Sequence, residues 1–189
     1  MTEIEIAREI EEYYRQRTDG LSFETIVASG ENSSKPHAVP TDRKIQKVDI
    51  ITIDMGCKIN GYCSDMTRTI FVGEVPKNMK DVYDLVLKNQ EQVLDDMHDG
   101  ASTKQISKMV DNDFRLHNYD LIHALGHGVG LDIHEGPVLS INSENTLKEN
   151  MIVTDEPGIY IPGQFGIRIE DTVLINKGTC EPLTKSNKK

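Results

Sequence analysis

The sequence predicts an α+β domain, and three observations carry that reading. Residues 51–69, ITIDMGCKINGYCSDMTRT, form a β-hairpin pattern around Asn60-Gly61. Asn-Gly is the strongest short hairpin signal, because a type I′ turn needs positive φ at both central positions. Three other stretches, 2–16, 79–98 and 102–117, place apolar residues at helical spacing. Beyond residue 120, short apolar runs separated by glycine and proline read as further strands.

The first helix, 2–16, has Thr2 as N-cap and Glu5 three residues on, a capping box, with Ile4, Ala7, Ile10 and Tyr14 on one stripe. Thr18-Asp19-Gly20 ends it. Residues 21–28 read as a strand and 29–43 as a Gly/Ser/Asn/Pro-rich loop holding His37 between Pro36 and Pro40. The hairpin follows, entered through the β-branched Val48, Ile50, Ile51 and Ile53 and ending near Val72. Helix 79–98 buries Val82, Leu85, Val86, Asn89, Val93 and Met97, and Gly100 breaks it. Helix 102–117 is capped by Ser102 or Thr103 and buries Ile106, Met109, Val110 and Phe114. A glycine- and histidine-rich segment, 121–135, leads to a loop at 138–148. Strands are expected at 151–156, stopped by Pro157-Gly158, and at 166–176, with a Lys177-Gly178 turn and a short last strand. The charged tail 185–189 is expected to fray.

Residues 101–114, ASTKQISKMVDNDF, echo residues 1–14, MTEIEIAREIEEYY, in cap position and apolar offsets. The later copy is preceded by a helix, 79–98, and the earlier copy is not. The expectation is therefore a fragment of a longer protein that lacks an upstream helix.

A chain of 189 residues suffices for one buried core. Its net charge of −10 argues against nucleic acid or an anionic membrane as the main partner. No signal-peptide pattern or membrane-length apolar run is present, so the expected location is the cytoplasm. Hairpin register points Cys57 and Cys63 to opposite faces, and Cys180 is remote, so no disulfide is expected.

Centring the turn on Asn60-Gly61 pairs residues whose numbers sum to 121. Asp65 then lies opposite Gly56, and Asp54 shares its face on a diagonal of roughly 7–8 Å. Two acids on an otherwise apolar face need a cation between them, unless the face is simply solvated. His127, set between glycines, with Glu156 and Glu170, extends the set to four carboxylates and one imidazole. That is a mostly hard donor set, suited to Mn²⁺, Fe²⁺, Co²⁺ or Zn²⁺. Four acids exceed the need of one ion, which points to two metals and hydrolytic chemistry. Each residue alone also fits a bland role: a rim carboxylate for Glu156, a rim pair for Glu170 and Asp171, a packed histidine for His127. His123 and His127 have helical metal-pair spacing, but the neighbouring glycines argue against a helix there.

Taken together, SFETIVASGENSSKPHAVPT, TIDMGCKINGYCSDMTRT, LGHGVGLDIHE, TDEPGIYIPG and GIRIED resemble the methionine aminopeptidase and prolidase superfamily, metallopeptidase family M24. The resemblance spans residues 1–185, leaving 186–189 as a tail. It implies the pita-bread fold: a curved, mostly antiparallel sheet covered by helices, with a pseudo-twofold repeat. It implies that Asp54 chelates one metal, that Asp65 and Glu170 bridge both, and that His127 and Glu156 complete the second site, with manganese the first candidate. It implies that His37 and His134 assist proton transfer, that His123 lies by the substrate's proline side, and that Arg168 matches an arginine of the Xaa-Pro branch. The segments ASGENSSKPHAVPT and PGIYIPGQFGIRIED resemble Xaa-Pro aminopeptidases and prolidases, so the implied reaction is cleavage before proline in peptides. Methionine aminopeptidase activity and a catalytically silent peptide- or protein-binding fragment are the alternatives. Members of this branch usually carry an N-terminal domain that helps form a homodimer. Asp155 stands where an apolar residue is common, and strand alternation points it away from the metals.

Overall fold

The computed structural model describes residues 1–188. Its elements run α1 (Glu3–Arg15), β1 (Gly20–Leu21), β2 (Ile26–Ser29), a 3-10 turn (Gly30–Ser34), β3 (Ile50–Met55), β4 (Cys57–Ile59), β5 (Tyr62–Cys63) and β6 (Met66–Phe71). Then come α2 (Lys77–Asp96), α3 (Thr103–Leu116), β7 (Gly126–Gly128), β8 (Glu135–Leu139), β9 (Ile152–Asp155), β10 (Gly158–Ile161), β11 (Phe165–Arg168), β12 (Asp171–Ile175) and β13 (Cys180–Pro182). No helix among the described residues is long and apolar enough to cross a membrane.

The hairpin register holds along its whole length. Ile59 pairs with Tyr62, Met55 with Met66 and Ile50 with Phe71, each pair summing to 121. Asn60 and Gly61 have φ of 52° and 81°, the signs a type I′ turn requires. The hairpin divides at Gly56 into two ladders. β4 leaves to pair with β1, while β3 stays with β2. The single strand expected over 21–28 divides for the same reason. At that corner the Ser22 N–H donates to the Gly56 carbonyl and its hydroxyl donates to that of Cys57. Val48 is not in the strand: it sits at φ 67° in a turn, its N–H donating to Val72.

The echo between the halves is structural. Thr2 caps α1 through the expected box with Glu5 and bridges to Lys44; Ser102 caps α3 and bridges to Thr146. Each helix leads into antiparallel strands in matching order, β2-β3-β6 in the first half and β7-β9-β12 in the second. In the second half α2 lies against α3, tied by Asn89 and Lys88 to Asp113, and the main core fills the space beneath. Val86, Val93, Val110, Phe114, Val153 and Val173 are fully buried there. α1 covers a much smaller cluster of Ala7, Val27 and Ile51.

Three further expectations need correction. Val138 and Leu139 are in β8, not a loop, because Val138 pairs with His127 and Leu139 with Gly126. The strand expected over 166–176 breaks at Ile169-Glu170, since the Glu170 N–H turns away to the Thr67 carbonyl of β6. The tail does not fray over Ser186, Asn187 and Lys188; residue 189 lies outside the described residues. Arg68 donates to the Ser186 and Asn187 carbonyls, and Lys188 reaches Asp171 at 2.8 Å.

Glu3 is a buried anchor that its place in the helix's first turn did not suggest. Its carboxylate accepts from the N–H and hydroxyl of Ser29, the Asn32 amide, and the N–H and hydroxyl of Thr41, all at 2.6–2.9 Å. It ties α1 to both ends of the loop that carries His37.

Candidate metal centre

The four acids lie at strand ends because each half contributes one from its middle strand and one from the strand that follows. Asp54 is near the end of β3 and Glu156 directly follows β9. Asp65 directly precedes β6 and Glu170 directly precedes β12. The β9–β12 ladder ends at the Asp171–Asp155 pair, and just beyond it Glu156 lies near enough to Glu170 to act on its charge. Like charges so placed repel, and a positive partner between them removes the penalty.

His127 enters from β7. Its strand lies so close to β9 that a Cβ at Gly126 would stand 2.1 Å from the Thr154 carbonyl oxygen. The Gly128 carbonyl, an acceptor only, takes the His127 Nδ1–H at 3.0 Å. That fixes the tautomer and turns Nε2 toward the acids, 3.5 Å from Asp65 and 3.4 Å from Glu156. This is how protein metal sites orient an imidazole ligand. Donor atoms of Asp65, His127 and Glu170 all lie within 4.8 Å of one another. Asp54 Oδ1 is buried without a hydrogen-bond partner among the described residues. Orphaned carboxylate oxygen, bare imidazole nitrogen and crowded acids fit a divalent cation.

Electrostatics agrees. Burial, with Asp54 nearby, pushes Asp65 up to about 6 despite the opposing pull of His127 3.5 Å away. Burial pushes Glu156 up to about 7, and drives Glu170 well above the usual carboxylate range with help from Asp65 and Glu156. Burial opposes the charged form of His127, but Asp65 and Glu156 outweigh it and the net shift is upward.

Arg168, on β11, organises the surroundings. Its Nη2 donates to Asp54 Oδ2 at 2.7 Å and its Nε to Thr67 Oγ1 at 3.0 Å. Thr67 in turn donates to Glu170 Oε2 at 2.6 Å. Nη1 donates to the Tyr160 hydroxyl at 2.6 Å and to the Pro36 carbonyl at 3.2 Å. His123 Nδ1–H is held by the Ala124 carbonyl, so its Nε2 accepts from Tyr160 at 3.0 Å. Burial takes His123 down to about 4, which keeps it neutral, and pushes Tyr160 up to about 12. His134 stacks edge-on to His127 at 4.5 Å between centroids, and burial, His127 and His37 lower its pKa.

Asp54, Asp65, His127, Glu156, Glu170, His37, His123, His134 and Arg168 all line one cleft of about 770 Å³. The cleft therefore brings together all nine of the residues expected to bind metal, act in catalysis or meet substrate. Sequence reasoning missed Thr67, Thr154 and Tyr160. Thr154 accepts from the His127 N–H and donates to Glu156. Thr67 and Thr154 each lie two residues from an acid on the same strand face, so period-two alternation could have found them. Nothing in the sequence pattern marked Tyr160. Asp155 points away from the site, as alternation required, and is fully buried beside Asp171.

Comparison with known proteins agrees with this geometry. The family model "Metallopeptidase family M24" matches residues 1–177. The Xaa-Pro dipeptidase of Pyrococcus furiosus is 41% identical over 191 residues, covering 98% of this chain and 54% of that protein. A crystal structure of a dipeptidase from Pyrococcus horikoshii superposes with a TM-score of 0.96 at 42% identity, covering 100% of this chain and 53% of the other. An X-Pro aminopeptidase from Thermotoga maritima gives 0.96 at 40%, covering 100% and 55%. These likenesses bear out the pita-bread fold. The chain spans about half the length of the relatives it matches. It belongs to metallopeptidase family M24.

Proposed function

We propose that this member of family M24 carries the dinuclear-metal site of an exopeptidase that hydrolyses the bond before proline and releases the N-terminal residue. The observation that carries the reading is the meeting of Asp54, Asp65, His127, Glu156 and Glu170 in one cleft, with a bare imidazole nitrogen and an orphaned carboxylate oxygen. The printed names of the relatives, Xaa-Pro dipeptidase and X-Pro aminopeptidase, support the specificity.

Asp54 would chelate one ion, Asp65 and Glu170 would bridge, and His127 and Glu156 would complete the second site. Bound divalent metal supplies Lewis acidity, polarising a carbonyl and acidifying water near neutral pH. Manganese is the first candidate, with cobalt, iron or zinc as alternatives, because hard oxygen donors dominate. His37 and His134 stand at the cleft wall to donate to the developing oxyanion and to move the proton to the leaving nitrogen. His123, neutral and held by Tyr160, shapes the proline side of the pocket. Arg168 fixes Asp54 directly and Glu170 through Thr67. Phe23, Ile26 and Ile133 supply apolar wall for a pyrrolidine ring and exclude water. Proline-containing peptides are the proposed partners, the cytoplasm the proposed location, and a homodimer the proposed state of the full-length protein.

The test is Mn²⁺-loaded protein against paired peptides, Xaa-Pro-Yaa and Met-Ala-Yaa. Release of the first residue from the proline peptide alone is expected. Release from Met-Ala-Yaa alone overturns the specificity and keeps the metal chemistry; silence on both rejects the enzymatic reading for this chain.

A further inference from the structure

The metal cleft does not end at the metal ligands. A second depression of about 430 Å³ runs along α1, and it shares Glu24, Ile26 and His37 with the cleft. Its floor is the loop after His37, with Ala38 buried and Val39 72% exposed. Its far wall is α1, from Ile4 and Ala7 to Arg8 and Arg15.

The charges along this wall are unequal. Arg15 is occupied by Glu11 at 3.1 Å, one helical turn away. Arg8 has no hydrogen-bond or ion-pair partner among the described residues. Arginine commonly finds a carboxylate or phosphate, and its planar fork suits a carboxylate's two oxygens. An unpaired guanidinium on a groove continuous with a peptide-hydrolysing cleft is placed to meet an anion carried by the peptide.

We propose that this groove is a binding subsite for the chain beyond proline, with Arg8 receiving the C-terminal carboxylate of a peptide longer than a dipeptide. The inference rests on the proposed cleavage before proline and names its substrate class. With the N-terminal residue held over the acids, the segment after the ring passes His37 and Ile26 and enters the groove. Val39 and Pro40 give it an apolar edge. Glu24, at the junction, faces the first residue after proline and disfavours an acid there. A dipeptide ends inside the metal cleft and reaches none of this.

The test measures binding apart from turnover. Reduced-bond analogues of Ala-Pro and Ala-Pro-Gly-Gly, which cannot be cleaved, are titrated calorimetrically into the Mn²⁺-loaded protein, into Arg8→Ala and into Arg8→Glu. Thermal melts confirm that these surface variants stay folded. A rim charge contact supports an advantage of roughly three- to tenfold for the longer analogue at low salt, shrinking as salt rises. Arg8→Ala or amidation of the peptide's C-terminus removes that advantage and leaves the Ala-Pro analogue within about twofold. Arg8→Glu makes the longer analogue the weaker ligand. Equal affinity for both lengths, an advantage that survives Arg8→Ala, or no binding of either analogue overturns the subsite. Cleavage of ordinary Ala-Pro-Gly-Gly is followed in parallel. An Arg8-dependent preference without cleavage rejects the proposed activity and keeps the groove; cleavage without length preference does the reverse.

Discussion

Replacing Asp155 with valine stabilises this protein. Asp155 is fully buried, and neither carboxyl oxygen has a hydrogen-bond partner among the described residues. It pairs directly across the β9–β12 ladder with Asp171, which takes the available donors: Arg68 at 2.7 Å, Lys188 at 2.8 Å and the Gln90 amide at 3.1 Å. Burial, reinforced by Asp171, raises the Asp155 pKa well above the usual carboxylate value. A buried polar group left unpaired costs about 1–3 kcal/mol. Valine has one side-chain heavy atom fewer, suits a strand, and needs no partner. A gain of about 2 kcal/mol raises Tm by roughly 4–8 °C for a domain of this size. The sign with pH follows from linkage. The folded state holds a proton that the unfolded chain releases near pH 4, so the wild type loses stability as pH rises from there through the folded pKa. The advantage of Asp155→Val therefore grows from pH 4 to pH 8. Circular-dichroism melts across that range measure it. Asp171→Val is the opposing control, because it strands Arg68 and Lys188 and costs about 3–5 kcal/mol. A Tm for Asp155→Val that is unchanged or lower at pH 8 refutes the reasoning.

Asp65→Asn is expected to abolish high-affinity divalent-metal binding in a calorimetric titration, since Asp65 stands at the centre of the donor cluster; unaltered binding would place the metal elsewhere. Metal must displace protons from carboxyls raised to about 6 and about 7 in Asp65 and Glu156, so affinity climbs from pH 5 to pH 8 with proton release. A pH-independent affinity contradicts that electrostatic picture. Thr67→Val interrupts the path from Arg168 to Glu170, and about tenfold weaker metal binding is expected with little change in fold, read by the same titration. Glu3→Ala leaves the buried donors of Ser29 and Asn32 unpaired, cuts the bonds to Thr41, and costs about 3–5 kcal/mol. A melting point within ~2 °C of wild type would show that Glu3 does not anchor the His37 loop.

The sequence alone determined what depends on local chemistry and period. Asn60-Gly61 set the turn, and one register number then ordered the ladder from Ile59 to Phe71 and put Asp54 and Asp65 on one face. The Thr2–Glu5 box set the start of α1, and the echo between 1–14 and 101–114 anticipated two matching halves. The ligand candidates were legible because few residue types hold metal and because their motifs resemble a known family. Tertiary structure decided whatever rests on partners distant in sequence. The break at Glu170 exists because its N–H goes to Thr67, and no local propensity encodes that choice. Glu3 is buried because donors up to 38 residues away converge on it. Arg168 reaches Asp54 across 114 residues, and Tyr160 becomes part of the site only because β10 folds back on β11. Residues 186–188 are held because Arg68 and Asp171 present buried charge to them. Turns and strand faces follow from backbone sterics over a few residues, whereas the pairing of buried charge follows from where the whole chain brings its few donors and acceptors.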